Sequence, residues 1–346
     1  MAKYILGIDL GGTKINAAVL DETDKIVGGA RTKTEVQLGQ DAVFERIVEV
    51  SQEALTAAAV NSSELFAIGI GSPGPLDPDT GYIINAANLR FTNFPLAPKL
   101  ADKFHCPVFL DNDVKVGTFG EYKAGAARGA SVALGMFIGT GIGGGIIISG
   151  EIYHGFSKNA AEVGHMVIKP GGPRCGCGAR GCLEALASRT AMVRDLRKAI
   201  KRGHQTSLTK HAGKHLEEVT SGALKDAYHS GDKLVRKVVD KAARYIGLAL
   251  GGLVNVLGPE VIVLGGGVIE ALGDHMMDRI QKGISRVAFP YAMEQVRVVK
   301  ARLGDDAGVI GAALLAKEKL YFDFHAIPAV ASANSQAPGS GPGHQG

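Results

Sequence analysis

The sequence predicts an α/β protein of two domains, and three observations lead to this expectation. The chain has 346 residues, which is more than one compact core usually holds. Its composition, 46% hydrophobic with 48 glycines and no tryptophan, is typical of a glycine-rich α/β enzyme rather than a disordered or fibrous protein. A pattern of strand, glycine turn and strand opens the chain and recurs near its middle. Two similar halves that face a shared cleft are therefore expected.

The elements follow from this pattern in order. Residues 4–9 and 14–20 predict two strands joined by a glycine turn, and a third strand follows the polar DETDK segment. Residues 132–138 predict another strand, the GTGIGGG segment at 139–145 a glycine turn, and residues 146–148 the returning strand. The apolar VIVL segment predicts a later strand before Gly265, Gly266 and Gly267.

Two helices are also expected. The FLDNDV segment predicts a strand that leads into a helix over VKVGTFGEYKAG. The longest apolar stretch, residues 245–257, is about 13 residues long and is too short to span a membrane. We expect it to be a buried helix, in which Gly247 and Gly251 lie on one face and allow another helix to approach closely.

Charge and composition exclude several classes of function. The net charge of +4 is modest, and the basic segment at 194–214 is typical of a solvated helix face rather than of a nucleic-acid-binding surface. No secretory signal is recognisable, so we expect a cytoplasmic protein without a membrane partner. Residues 326–346 are small, proline-rich and glycine-rich, and predict a disordered tail.

Three of the four cysteines lie within eight residues, and their spacing predicts a metal site. A disulfide is disfavoured, because the Cys175 and Cys177 pair is too close to bridge comfortably and three cysteines, with Cys182, leave one unpaired. Three thiolates and one histidine, in contrast, suit tetrahedral zinc. His165 can supply the fourth ligand, because glycines and a proline let the loop fold back. Four protein ligands leave no open position for water, so we expect a structural zinc ion. The alternative is that the three cysteines are free thiols without a metal. The remaining cysteine, Cys106, is expected to be a buried side chain that packs in the core.

The glycine turns are candidate phosphate-binding loops. Glycine lets a ligand approach the backbone, and consecutive N–H groups in a tight turn converge on an anion. Neither DLGGTK at 9–14 nor GTGIGGG has the spacing of a Walker A loop, and neither is followed by the helix that such a loop needs. Each turn alone could be ordinary, but two turns with matching flanks and a third glycine run favour phosphate binding.

The LDND segment at 110–113 contains a candidate catalytic carboxylate. Aspartate and asparagine at the start of a helix are common N-caps, and a DxD metal motif is a further alternative. The functional hypothesis is that Asp113 projects into the cleft as a general base beside the Asn112 amide.

Together these motifs resemble the ROK family of sugar kinases, within the actin-like and hexokinase-like superfamily. The carriers, in order, are DLGGTK, GSPGPLD at 71–77, LDND, GTGIGGG, AEVGH at 161–165, CGCGARGCLE at 175–184 and LGGG at 264–267. The resemblance implies a two-domain actin-like (ribonuclease H-like) fold with a zinc-stabilised sugar-binding loop. It places a small domain at 1–112, completed by 304–325, and a large zinc-bearing domain at 113–303.

The resemblance also implies a role for each matching residue. Asp113 matches the catalytic base, His165 with the three clustered cysteines matches the zinc ligands, and the sugar contacts are Gly74, Asn112, Asp113, Glu162, His165 and Glu184. The nucleotide and phosphate contacts are Asp9, Gly11, Gly12, Thr13, Lys14, Gly139, Thr140, Gly141, Gly265 and Gly266, with Asp9 near Mg²⁺.

The expected activity is ATP-dependent phosphorylation of a hexose, with glucose favoured, by an enzyme that contains Zn²⁺ and uses Mg²⁺. N-acetylmannosamine, N-acetylglucosamine, mannose and fructose are alternative substrates, and ADP or polyphosphate are alternative donors. The chain departs from the E-N-D-A-N-A sequence common in the family, because it has Lys115 and Val116 after the base. A sugar-sensing transcriptional regulator of the same family is the alternative from another class. We expect no DNA binding, because DLGGTK begins at Asp9 and leaves no room for a preceding helix-turn-helix. A homodimer or homotetramer is implied.

Overall fold

The computed structural model describes residues 3–325, apart from 211–212, 214–215 and 217–218. The described strands are β1 Tyr4–Leu10, β2 Lys14–Leu20, β3 Ile26–Lys33, β4 Leu65–Ser72, β5 Leu76–Asp77, β6 Tyr82–Ala86, β7 Phe91–Phe94, β8 Val108–Asn112, β9 Val132–Ile138, β10 Ile142–Ile148, β11 Glu151–Ile152, β12 Val261–Gly265 and β13 Arg297–Lys300. The described α-helices are α1 Gln40–Ala57, α2 Leu96–Phe104, α3 Asp113–Lys123, α4 Leu183–Ala187, α5 Arg189–Lys201, α6 Ser221–His229, α7 Lys233–Leu257, α8 Gly267–Ile284, α9 Pro290–Gln295 and α10 Ala307–His325. The predicted tail at 326–346 lies outside the described residues.

Two large sheets share one topology. The first sheet has the strand order β3-β2-β1-β4-β8, and the second has the order β11-β10-β9-β12-β13. If the five strands of each sheet are numbered 1 to 5 along the chain, both sheets have the order 3-2-1-4-5. In both sheets the first three strands are antiparallel and the last two run parallel to the first. The duplication predicted from the glycine turns is therefore confirmed, as is the α/β class. A small antiparallel sheet of β5, β6 and β7 is inserted in the first half.

The parallel strands bring functional residues to one edge of the first sheet. β1, β4 and β8 end together, with Asp9 opposite Gly71 and Gly71 opposite Asp111. In the second sheet β9 and β12 end together, with Phe137 opposite Gly265. Ligands of open α/β sheets bind outside the carboxyl ends of parallel strands. Both sheets therefore present these ends to the region where a site is expected.

One predicted boundary is wrong. The strand after the second glycine turn begins at Ile142 rather than at Ile146, so the turn comprises only residues 139–141. The strand glycines have a packing reason: a Cβ on Gly143 would lie 2.6 Å from a Val114 methyl group, and one on Gly145 would overlap Thr118. Helix α3 therefore lies closely against β10 because these positions lack side chains.

Helices α3 and α10 pack against each other between the two sheets. Val116 and Phe119 of α3 share a buried cluster with Leu314 and Leu315 of α10 and with β9 and β12. Other residues of α10, including Val309 near its start, pack on the first sheet. Each sheet also has a core of its own. These cores are compatible with the expected division into 1–112 with 304–325 and 113–303, which stays a prediction.

The remaining expectations concern helices and surfaces. Residues 245–257 lie in α7, and the glycine pair Gly247 and Gly251 faces α8 so closely that added Cβ atoms would overlap it. The described part of the basic segment lies on α5 and the turn after it, with Lys198 and Lys201 exposed. Cys106 is only half-buried beside the core of the first sheet. Among the described helices, none combines the length and apolar character needed to cross a membrane.

Candidate active site in the interdomain cleft

A cavity of about 780 Å³ lies where residues of both halves meet. The first half contributes residues before α3, including Gly74, and the second half contributes the 139–141 turn and the segment that precedes the cysteines. The predicted site residues in its lining are Gly74, Asn112, Asp113, Gly139, Thr140, Gly141, Glu162, His165, Glu184 and Gly266. The proposed base, the proposed sugar contacts and one phosphate loop thus share one cavity.

Asp113 is the first residue of α3, directly after the end of β8. One carboxylate oxygen accepts a hydrogen bond from the Val114 N–H at 2.9 Å. Burial, together with the nearby carboxylates of Asp9 and Glu162, raises the pKa of Asp113 to about 7 against the lowering effect of that hydrogen bond. A carboxyl group with a pKa near 7 is matched to proton abstraction at neutral pH.

Asn112 caps α3 and lines the cavity at the same time. Its Oδ1 accepts from the N–H groups of Val114 and Lys115 at 3.1 and 3.2 Å. The capping interpretation is therefore correct for Asn112, and it fixes the amide beside Asp113. The DxD metal motif is disfavoured, because Asp111 is buried and its carboxylate lies 2.7 Å from the His154 ring nitrogen Nε2.

Glu184 connects the cysteine segment to the 139–141 turn. Its Oε2 accepts from the Ile142 N–H at 3.0 Å, and a Cβ at position 141 would overlap this oxygen. The turn is held from the other side by Arg189, whose guanidinium donates to the Thr140 hydroxyl at 2.7 Å. A side chain at position 141 would therefore displace the Glu184 carboxylate from its bond with Ile142.

His165 and the clustered cysteines form a compact set of ligand atoms. One ligand atom from each of His165, Cys175, Cys177 and Cys182 lies within 4.8 Å of all the others. The Nδ1 of His165 is 3.6 Å from the Cys175 sulfur, and the sulfurs of Cys177 and Cys182 are 3.7 Å apart. Tetrahedral zinc, with Zn–S about 2.3 Å and Zn–N about 2.0 Å, separates neighbouring ligand atoms by about 3.5–3.8 Å. The cluster fits a zinc site.

The fold of the cysteine segment explains this convergence. In the turn over residues 175–179, the Cys175 N–H donates to the Ala179 carbonyl at 2.8 Å and the Gly178 N–H donates to the Cys175 carbonyl at 3.1 Å, which brings the first two thiols close together. Gly181 then adopts φ +82° against the Lys169 carbonyl, and Cys182 pairs with Val167 in an isolated bridge. Helix α4 begins immediately afterwards, so Glu184 is placed one turn from the ligand cluster.

The remaining predicted nucleotide contacts do not line the cavity directly. The first glycine turn, with the end of β1 and the start of β2, contains Asp9, Gly11, Gly12, Thr13 and Lys14. Gly265 lies next to the Phe137 ring. Position 12 lies next to Asn88, which does line the cavity. Burial raises the pKa of Asp9, and the neighbouring Lys14 and Asn16 oppose this shift.

Sequence reasoning missed several cavity residues. They are Pro73, Pro75, Asn88, Val114, Phe137, Ile142, Gly143, Gly144 and Asn159. Most are neighbours of predicted residues, and the GSPGPLD and GTGIGGG motifs could have indicated them. Asn88 and Asn159 had no comparable signal, because each lies in an irregular segment outside the quoted motifs.

Comparison with known proteins agrees with this geometry. The ROK family model matches residues 5–319. A glucokinase of Halalkalibacterium halodurans is 36% identical over 318 residues, which are 92% of this chain and 96% of the relative. A crystal structure of a ROK family glucokinase from Streptomyces griseus in complex with glucose and AMPPNP is 30% identical in sequence, with a TM-score of 0.79. The match covers 91% of this chain and 99% of that glucokinase chain. A xylose repressor of Caldicellulosiruptor bescii is 26% identical, and the match covers 93% of this chain and 80% of the repressor.

The family model matches most of the chain, the fold is shared with a solved family member, and one cavity contains many of the motif residues. The protein therefore belongs to the ROK family.

Proposed function

We propose that the protein is an ATP-dependent hexose kinase that converts glucose and ATP to glucose 6-phosphate and ADP. The observation that carries the proposal is one cavity whose lining includes Asp113, the 139–141 turn and side chains that are able to form hydrogen bonds with hydroxyls. The glucokinase relative and the glucose and AMPPNP complex of a related structure support both substrates.

In the proposed mechanism Asp113 accepts the proton of the sugar hydroxyl. The hydroxyl oxygen then forms a bond to the γ-phosphorus while the bond from that phosphorus to the β-phosphate oxygen breaks, which releases ADP. Phosphoryl transfer passes through a loose, highly charged transition state, so the protein mainly positions the reactants and stabilises charge. The raised pKa of Asp113 suits this role, because the group is basic enough to take a proton and still largely ionised above neutrality.

The sugar would be held by groups that form hydrogen bonds with its hydroxyls. Glu162 and Glu184 supply carboxylate oxygens that accept these bonds. The Asn112 amide N–H group and the ring N–H of a zinc-bound His165 would donate to hydroxyl oxygens, because the Asn112 Oδ1 already accepts two backbone bonds. Gly74 would contribute its backbone. A site that pairs each hydroxyl discriminates against sugars that lack one, because an unpaired buried polar group is costly.

The phosphates would lie on the turn at 139–141 and on the first glycine turn, where backbone N–H groups can bind anions. Asp9 is suited to hold Mg²⁺, which would neutralise phosphate charge, because its carboxylate lies at the strand end near Asp113. Zn²⁺ bound by His165 and the three cysteines would have a structural role and would fix Glu184 and His165 in the cavity wall.

A coupled assay across a hexose panel tests the proposal. We expect the highest kcat/KM with glucose and ATP, and lower values with mannose, fructose, N-acetylglucosamine and N-acetylmannosamine. The same panel with ADP and polyphosphate in place of ATP identifies the donor. Absence of phosphorylation for every hexose with every donor would disprove a sugar kinase.

A non-catalytic sugar-sensing regulator is the second candidate, and the xylose repressor relative favours it. That relative is less similar than the glucokinase, at 26% against 36% identity. A DNA-shift experiment on the same preparation, with and without glucose, separates the two candidates. We expect phosphorylation without sugar-dependent DNA binding.

The pH dependence of kcat/KM should report the ionisation of Asp113. Its carboxylate form is the base, and burial with two neighbouring carboxylates raises its pKa to about 7. Below that pH the base is protonated, so kcat/KM for glucose should fall about tenfold for each pH unit and level off above about pH 8. Initial rates between pH 5.5 and 9 provide the measurement. A flat profile from pH 6 to pH 8 would contradict the assignment.

Two further expectations belong to this proposal. Zinc-bound thiolates are suited to a reducing compartment, which supports a cytoplasmic location. The assembly is expected to be a homodimer or homotetramer, and light scattering coupled to size-exclusion chromatography would measure it.

A further inference from the structure

Residues 154–162, which we call the strap, cross the sugar side of the cavity. Asn159 and Glu162 at the end of the strap line the cavity. The strap has no regular helix or strand and contains two backbone hydrogen bonds of its own, so contacts with other segments help to set its position. Side chains of α3 and its preceding strand provide two of these contacts.

The contacts come from Asp111 and Lys115, two residues before and two residues after the proposed base. The carboxylate of Asp111 is 2.7 Å from the Nε2 of His154, where the strap begins. Lys115 is a position at which this chain departs from the E-N-D-A-N-A sequence, and its ammonium donates to the carbonyl oxygen of Lys158 at 2.7 Å. Both side chains therefore bind the same segment.

Lys115 is unusual because its side chain is buried, with 3% of the residue exposed. Burial lowers its pKa, while the carboxylates of Asp111 and Glu162 favour the charged form. Burying an ammonium group is costly unless it is paired and hydrogen-bonded. The hydrogen bond from Lys115 to the strap offsets part of this cost, so the side chain makes a directed contact and does not only fill space.

The strap also contains strained backbone. Lys158 has φ +62° and Ala161 has φ +70°, and non-glycine residues adopt this left-handed region only at a cost. Such conformations persist where the surroundings fix them. At Lys158 the carbonyl is held by Lys115, and the side-chain ammonium forms a 2.7 Å ion pair with Asp79 on the loop between β5 and β6. The strap is thus tethered to both sides of the cavity.

From this geometry, and resting on the proposed hexose kinase activity, we propose that Lys115 is a positioning residue that sets the sugar-facing placement of Asn159 and Glu162. It does so through the Lys158 carbonyl and does not touch the sugar itself. Because its length lets it reach the strap from α3, the identity of residue 115 would tune sugar affinity in this chain.

The decisive variant is Lys115→Met, which keeps an unbranched side chain and removes the donor. We expect KM for glucose to rise about tenfold or more, because the Lys158 carbonyl loses its partner and the strap relaxes, while KM for ATP stays within about twofold. Lys123→Met is the matched control, since it makes the same substitution at the end of the same helix, where the lysine pairs with Glu318. The control should keep both KM values.

A second readout does not depend on activity. Trypsin cleaves after lysine, and the Lys158 side chain is 38% exposed. Mass spectrometry would measure the rate of cleavage after Lys158. This rate should be about tenfold higher in Lys115→Met than in the wild type or in Lys123→Met, while the melting temperature of Lys115→Met equals that of the wild type. If Lys115→Met does not fold, Lys115→Asn restores the motif residue and should show the same two effects.

Unchanged glucose KM and unchanged cleavage in a folded Lys115 variant would overturn the inference. If the wild-type protein phosphorylates no hexose, the proposed function fails, and the cleavage rates still decide whether Lys115 holds the strap.

Discussion

Replacing Asp113 by asparagine is expected to lower kcat by about 10²- to 10⁴-fold while glucose still binds. General-base catalysis contributes this range, which corresponds to about 3 to 5 kcal/mol of transition-state stabilisation. Asparagine preserves the size of the side chain and keeps an oxygen that can accept the Val114 N–H bond, so the start of α3 should remain intact. The loss should therefore appear in kcat and leave the glucose dissociation constant within about tenfold.

Steady-state kinetics and calorimetric titration of glucose provide the two measurements. Asp102→Asn is a suitable control, because Asp102 is exposed on α2 and does not line the cavity. Its kcat should match that of the wild type. The pH profile of Asp113→Asn should also lose the inflection near pH 7. An Asp113→Asn enzyme with turnover near the wild-type level would refute its role as the base.

Removing zinc is expected to have the largest effect on stability. Structural zinc contributes on the order of 10 kcal/mol of apparent binding free energy, and this energy is available only to the folded cluster. Cys182 is fully buried, so Cys182→Ser should abolish zinc binding and lower the melting temperature markedly. Activity should fall about 100-fold or more, because Glu184 and His165 lose their fixed positions and small misplacements at a site are costly.

Cys106→Ser is the matched control for this experiment. Cys106 is half-buried and lies outside the cluster, so its replacement should leave the zinc content unchanged. Elemental analysis should find about one zinc ion per chain in the wild type and in Cys106→Ser, and almost none in Cys182→Ser. Active wild-type enzyme without zinc, or a Cys182→Ser enzyme as stable as the wild type, would rule out a structural zinc site.

Local sequence patterns predicted most of the elements near the site. Alternating and continuous apolar runs located β1, β2 and β9, and the duplicated glycine turns predicted two similar halves, which the two sheets of one topology confirm. The cysteine spacing predicted the ligand cluster, because four ligands close in sequence need only a local loop to meet. Asp113 at a strand-to-helix junction was also predicted, since both the strand and the helix have clear local signals.

Long-range packing decided what local patterns left open. The start of β10 was misplaced, because Gly143 and Gly145 resemble turn residues until α3 is seen to lie against them. Asn88 and Asn159 enter the cavity from irregular segments whose paths depend on distant contacts. The roles of the individual site residues stay predictions for the experiments described above.

The sequence alone determined the α/β class and the duplicated halves, and it identified the candidate base and the candidate zinc ligands, because each is encoded by residues close together in the chain. Only the tertiary structure revealed that Lys115 is buried and holds a strap 43 residues away. It also revealed that Glu184 closes the 139–141 turn and that α3 and α10 pack between the sheets. These features depend on contacts between segments far apart in sequence, and such contacts leave no periodic signal in either segment.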